Sequence, residues 1–546
     1  ASVYQNTNTT ISNSQTSTQT ISGTNNTLVI ETGGTITISN SSNQAVNFTQ
    51  GSSTTTFLNK GTLIGGSNTA SVQLGANNQN GVTIETFNNQ GIIGNGSSKF
   101  GVTVWGKDDS KSTITNFNNK GTIHSNAGEA VYFSNSEVKT FKNEGTISSN
   151  FDKGINISSN VTIDKFENTG IINSIGTITS TEGYTSGSVN IIGSDSAKVS
   201  IKTFNNTGTI TSQETHGVNL RHTTIDNFTN SGLIKTDGTK THTSDTRVDS
   251  GFRTTNVYIK TLENTGTISG FAGVLLNGST IDQFTNKGTI VGTQDSAKSV
   301  GIMVGGIINT GSTLSTIKQL DNEGIITSKG HGVIISNGSK IETLTNKGTI
   351  EASLNGIMFH NYKDIDKETD LGKITLDTNS VIKAGNNAIH IDGSDKDITA
   401  EGIDLKDKAL LDGGNAGIYI GGGKNLKTSI NVAGTIQGGN GGIINTGTIG
   451  QKGQTQQQHG ITIDNGGLIT SKNGSGILNT DNGIIYGNIV NKSSNNLSLK
   501  NDSSATITSG VKNEGSGTIF VNNQGTISKD NQGNNLTNSG SGSIVI

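Results

Sequence analysis

The residues best suited to chemistry in this 546-residue chain are its acidic clusters, its histidines and its three arginines. Asp364, Asp366, Glu368 and Asp370 form the densest acidic group. Paired carboxylates at separations of about 5 to 9.5 Å are the machinery of glycoside hydrolysis, but these alternate with Lys363 and Lys367, the pattern of a solvated insertion. Asp152, Asp164 and Glu167 are also close in sequence, although single acids mean little until neighbouring coils set them side by side. There is no cysteine and no His-x-x-x-His, so metal-ligand spacing is missing and no metal or cofactor is expected. The Ser- and Gly-rich stretches carry no nucleophile motif with identifiable acid–base partners.

His216, His222 and His242 fall in one stretch with Arg221, Arg247 and Arg253, the only arginines of the chain. The guanidinium fork anchors carboxylates and phosphates and recurs in binding hot spots. The segment from Thr236 to Arg253 breaks the rhythm of the flanking sequence and is expected to bulge as a loop. It reads either as a solvated insertion or as a partner-binding patch suited to anionic surface polymers. Trp105, the sole tryptophan, extends a Val-x-Val run into Gly106-Lys107-Asp108-Asp109. It is either an exposed anchor or packing at a strand end.

The elements that must hold these residues repeat. Phe87-Asn88-Asn89-Gln90-Gly91-Ile92-Ile93 returns as Phe117 to Ile123, Phe141 to Ile147, Phe166 to Ile172, Phe204 to Ile210 and Phe228 to Ile234, with Leu for Phe in later copies. Many gaps between the motif glycines, among them Gly91, Gly121 and Gly145, are 22 to 25 residues, and the longer gaps read as the same unit with an insertion. Each unit has three short strand signals: an Ile ahead of the aromatic, the Gly-Thr-Ile segment, and a Gly-Val-x-Val relative such as Gly101-Val102-Thr103-Val104. Three strands and three turns per unit fit one coil of a triangular solenoid. Stacked at about 4.8 Å, the Phe and Ile positions form apolar columns. The Asn positions (Asn89, Asn119, Asn143) form a side-chain amide ladder. The glycines after them are expected at corners of positive φ.

Composition supports a chain that is mostly inner strand. The 546 residues contain 76 glycines and no proline, although proline averages about 5%. Proline cannot donate to a strand ladder. Disordered chains usually carry proline and a large net charge, whereas this one has a net charge of −3 and regularly spaced Ile and Val. Near-neutral charge and scarce arginine argue against nucleic acid as a partner. There is no apolar run of about 18 residues to span a membrane. The start Ala1-Ser2-Val3 is compatible with cleavage behind a small residue. We divide the sequence into an N-terminal cap and first coils (1–53), a regular β-helix of Phe-x-Asn-x-Gly-x-Ile repeats (54–360), a less regular continuation (361–488) and Asn-, Ser- and Gly-rich terminal coils or a frayed end (489–546).

The unit Phe-x-Asn-x-Gly-Thr-Ile, with its upstream Ile and downstream Gly-Val-x-Val, resembles the repeats of vacuolating-cytotoxin-like autotransporter passengers, closely over residues 54 to 360 and loosely beyond. The resemblance implies an all-β chain: a single elongated right-handed parallel β-helix, secreted by the type V route and displayed by a C-terminal outer-membrane barrel. The alternating aromatic strands of such a barrel do not occur here. Residues 1 to 27 are polar and lack the apolar Gly-x-x-x-Gly stretch of the family's pore former, so no membrane insertion is expected of this chain. The leading functional expectation is a non-enzymatic adhesin or self-association scaffold at the bacterial surface, with host-cell or bacterial surface molecules, or the chain itself, as partners. A toxin-like secreted effector is the alternative, and a polysaccharide lyase or hydrolase the second.

Overall fold

The structure, a computed structural model, describes residues 2–177, 185–241, 248–305, 314–336, 338–360, 369–392, 398–421, 429–452 and 460–546. Arg247, His242, Asp364, Asp366 and Glu368 lie outside the described residues, as does the side chain of Asp370. The chain divides into two compact units, Ala1–Phe271 and Ala272–Ile546. Each is a right-handed parallel β-helix with three strands per coil, and the strands of each unit fall into three long parallel sheets, with a further four-stranded sheet of Thr448–Ile449, Ile484–Ile485, Thr506–Ile507 and Thr526–Ile527 in the second.

One coil shows how the sequence builds the rest. Ser112–Asn119 runs in the first sheet, Thr122–Ser125 in the second and Val131–Phe133 in the third. The next coil repeats it with Ser136–Asn143, Thr146–Ser149 and Ile155–Ile157. In-register pairing places Phe117 on Phe141, Asn119 on Asn143, Ile123 on Ile147 and Val131 on Ile155. Side chains alternate between the faces of a strand, so one Phe, one Asn and one Ile per coil point into the tube. Phe87, Phe117, Phe141, Phe166, Phe204 and Phe228 are fully buried. Their rings stack with centroids 4.4 to 5.0 Å apart.

The Asn column is a continuous amide ladder in the first unit. The Nδ2 of Asn89 donates to Asn119 Oδ1 at 2.8 Å, and that of Asn119 donates to Asn143 Oδ1 at 2.8 Å. The same Nδ2 of Asn119 also donates to the Gly121 carbonyl two residues on, at 3.2 Å. These amides are fully buried, and the ladder supplies the partners that burial demands.

The corner glycines differ from the expectation. Gly91, Gly121 and Gly145 do not have positive φ. A Cβ on each would instead lie 2.1 Å from the carbonyl oxygen of the motif glycine in the coil before: Gly61, Gly91 and Gly121 in turn. The coils approach so closely at this corner that no side chain fits between them.

In the second unit the Asn286–Asn322–Asn346 ladder ends at Leu376, which pairs in register with Asn346. Leu405, Val432 and Ile463 continue that column, and Ile374, Ile403, Ile430 and Ile461 continue the one above Leu344. A second ladder, Asn445–Asn479–Asn501–Asn523, runs at 2.9 Å spacings in the third sheet. Strands persist through the last stretch, from Leu497–Asn501 to Ser543–Val545.

Candidate binding face

The outer face of the third sheet in the first unit gathers every described residue singled out above for binding. Its outward row runs in register through Asn47, Gln73, Thr103, Tyr132, Asn156, Asn190, Asn219 and Arg253. Trp105 follows the strand Phe100–Val104, and its backbone N–H donates to the Leu74 carbonyl at 2.9 Å. Its indole packs on the Tyr132 ring with centroids 4.7 Å apart and a 49° tilt. Both rings are half-buried. Trp105 therefore packs at a strand end and still presents part of its ring.

An amide relay links the row. Asn219 Nδ2 donates to Asn190 Oδ1 at 2.8 Å, Asn190 Nδ2 to Asn156 Oδ1 at 3.0 Å, and Asn156 Nδ2 to Glu129 Oε1 at 2.8 Å. Asn190 and Asn156 each accept from the amide of the following coil and donate toward the preceding one. The Tyr132 hydroxyl bonds with Ser134 and Ser158, and burial of the ring raises its pKa.

Arg253 is placed differently from the expectation of a bulging loop. Arg253 is in the strand Ser250–Thr255, is 2% exposed and pairs in register with Asn219. The physical reason is that Gly251-Phe252-Arg253-Thr254 is itself a third-sheet segment. Phe252 takes the inward place of Val218, a substitution that hid the Gly-Val-x-Val pattern. The strands Leu233–Thr236 and Ser250–Thr255 flank the insertion, and Thr241 and Val248 form an antiparallel bridge within it. Arg221 ends the strand His216–Arg221 and is half-buried. Arg221 and Arg253 thus occupy adjacent strands of one sheet.

The other candidates are engaged in structure. His216 is fully buried, and its Nδ1 accepts from the Ser250 N–H at 3.0 Å. His222 has a positive φ of 46° and lies 3.0 Å from Asp195 Oδ1; burial lowers its pKa and the carboxylate opposes that. Asp152 is nearly buried, ion-paired with Lys153 at 3.0 Å and bonded by the Ser186 hydroxyl at 2.5 Å. Asp164 and Glu167 face outward from the strand Thr162–Asn168 and pair with Lys202 at 3.9 Å and Lys165 at 3.4 Å. Among the described residues, no group of three His, Asp or Glu side chains is arranged to hold a metal.

Sequence reading missed one cluster. His331, His360 and His390 sit in consecutive coils of the second unit's third sheet, with His360 in register with Asp392 and His390 stacked on Tyr419 at 5.2 Å. Burial pushes the His331 pKa down to about 4, helped by the two other imidazoles. Burial also lowers His360 and His390, against the pull of Asp392. The signal was available: each histidine belongs to a Gly-Val-x-Val relative, and aligning those segments brings the three together.

No known protein family matches the chain, and neither a curated protein nor a solved structure matches it.

Proposed function

We propose that this chain is the passenger of an autotransporter, displayed at the bacterial surface, where it acts as an adhesin or self-association scaffold. The observation that carries this reading is a mostly polar outward surface held in register from coil to coil along a parallel β-helix. On the first sheet alone, the outward row Leu58, Asn88, Asn118, Lys142, Glu167, Asn205, Thr229 and Glu263 holds its register from coil to coil. A solenoid of this kind offers many weak, regularly spaced contacts, and repeat proteins use such extended surfaces for binding. The inward side chains fix the geometry and leave the outward rows free to vary.

The test is to display residues 1–546 through a heterologous outer-membrane barrel on a non-adherent, non-aggregating bacterium. Adherence to epithelial cells, or settling of the culture, is the expected result. Display without either effect would overturn the proposal. Depolymerised product from a polysaccharide panel would move the assignment to a lyase or hydrolase.

A further inference from the structure

The chain is poor in aromatic residues, 4% in all, yet three stand half-buried on the third sheet of two neighbouring coils. Phe100 opens the strand Phe100–Val104, Trp105 follows it, and Tyr132 lies in Val131–Phe133. Trp105 and Tyr132 form a tilted pair at 4.7 Å. Beside them, the Gln73 amide is paired with Gln44 and the Gly75 carbonyl and the Asn156 amide with Asn190 and Glu129, which leaves each a second N–H and a second lone pair, and the Glu129 carboxylate is oriented by Asn156 at 2.8 Å.

A second observation points to a ligand. Thr103 lies in register between Gln73 and Tyr132 and is 3% exposed, and its Oγ1 has no hydrogen-bond partner. A buried hydroxyl left unpaired costs about 1–3 kcal/mol, so an enclosed orphan beside an aromatic pair marks a place where an outside group completes the bonding once the side chains over it move aside.

We propose that the Trp105–Tyr132 shelf, with Thr103, Gln73, Glu129 and Asn156 around it, is a binding subsite for an uncharged oligosaccharide. This rests on the surface-binding reading above and names the ligand class. A pyranose ring has an apolar C–H face and a rim of hydroxyls. The shelf matches the first, and the amides, the carboxylate and the Thr103 hydroxyl match the second. Binding sites join aromatic surface to a few placed polar groups in this way. Two features select a sugar over a polypeptide surface and over an anionic polymer. The outward row here, Asn47, Gln73, Thr103, Tyr132 and Asn156, contains no aliphatic side chain that a dry protein interface would bury. The flanking charges cancel, with Lys99, Lys107 and Lys111 against Asp108, Asp109 and Glu129.

Trp105 is the only tryptophan, so its fluorescence reports this site alone. The full chain is titrated with chitotriose, cellotriose, maltotriose and lactose while Trp105 emission is followed. At least one sugar should shift the emission saturably. On the immobilised form of that sugar, Trp105→Ala should bind more weakly by about tenfold or more. Thr103→Val separates binding from folding: removing an unpaired buried hydroxyl should leave the melting temperature unchanged or raised, while sugar affinity falls. No emission change with any of the four sugars, or Thr103→Val and Trp105→Ala binding as tightly as the parent, would overturn the subsite. Adherence that survives Trp105→Ala would refute the subsite and leave the adhesin reading standing. Adherence lost in that variant without sugar binding would assign the shelf to a protein partner instead.

Discussion

At Gly121 a Cβ would lie 2.1 Å from the Gly91 carbonyl oxygen, and Gly91 stands in the same relation to Gly61. Steric closeness between coils, with no unusual backbone angle, therefore excludes every side chain here. Gly33 is the opposite case: its φ is +87° and nothing lies within 4 Å of an added Cβ. Asn tolerates positive φ better than most residues. Gly33→Asn should therefore change stability by about 1 kcal/mol or less, whereas Gly121→Asn must push two coils apart and should abolish cooperative melting of that region. Parallel thermal melts of the two variants check this. Equal effects would mean that the coils yield at this corner and that steric closeness does not exclude a side chain there. The same closeness explains the Asn ladder. Asn119 ends its strand one residue short of the Lys120-Gly121 corner, where its amide reaches both the Gly121 carbonyl and Asn143.

At the scale of the element, the third sheet differs between the two units. Its outward row carries amides and Arg253 in the first unit but the apolar Leu275, Met303, Ile334 and Met358 in the second, and these are buried as Asn219 and Arg253 are. His331, His360 and His390 belong to that second setting. His331 is neutral in the fold because burial and its two neighbours disfavour the charge, and its Nδ1 accepts from the Asn355 N–H at 3.2 Å. The unfolded chain protonates near the ordinary value of 6.5 and the folded chain only near 4. Between those values the unfolded state binds more protons, so the contribution is whole above about pH 6.5 and is lost as pH falls toward 4. The loss is on the order of 3 kcal/mol for this side chain. Hydrogen exchange should show His331–Ser336 losing protection from pH 7 to pH 4.5 ahead of the first-unit strand Gln19–Ser22, and His331→Gln should flatten the difference. Equal loss in both strands, or none, would refute it.

The elements themselves were legible in the sequence wherever an inward position kept its residue type. Phe-x-Asn-x-Gly-Thr-Ile placed two strands of each coil because column packing allows little variation in volume at a buried site. Arg253 reads as loop in the sequence because Phe252 and Thr254 occupy the positions that carry Val in the Gly-Val-x-Val segments. The Trp105–Tyr132 contact was not legible either. The two residues are neighbours only through the pairing of Thr103 with Tyr132, and register between coils depends on the number of residues in each corner, which varies. Residue identity along a strand reveals which face is inward, but contacts between outward rows wait on that register.

At the scale of the whole molecule, charge contributes little to holding the coils together. Only 14% of residues are charged, and among the described residues several inter-coil pairs lie at the surface, such as Lys120–Glu144 at 4.0 Å and Lys347–Glu323 at 3.8 Å. Exposed pairs of this kind are worth about 0–1 kcal/mol each and are screened by salt. The melting temperature should therefore stay within a few degrees, about 2–4 °C, between low salt and 1 M NaCl. A large fall would show that the ion pairs carry more of the stability than the buried columns do.

Stability in a solenoid is instead a sum of coil terms and nearest-neighbour interfaces, so damage should stay local. Phe117 is the place to test it within the first unit, since its ring stacks on Phe87 at 4.4 Å and on Phe141 at 5.0 Å. Phe117→Ala removes both stacks and leaves a cavity that the surrounding strands, hydrogen-bonded on both sides, cannot collapse to fill. The cost should be about 3–5 kcal/mol. If the loss is borne by the interfaces with the coils before and after, protection from hydrogen exchange falls in Thr83–Asn89, Ser112–Asn119 and Ser136–Asn143, and proteolysis starts at the corners beside them. The strands Gln19–Ser22 and His216–Arg221 lie several coils away and share no contact with the lost ring, so they keep their protection. Uniform loss across the unit would show one cooperative block rather than a chain of neighbours, and a variant that melts and digests like the parent would show that the Phe column does not bear the stack.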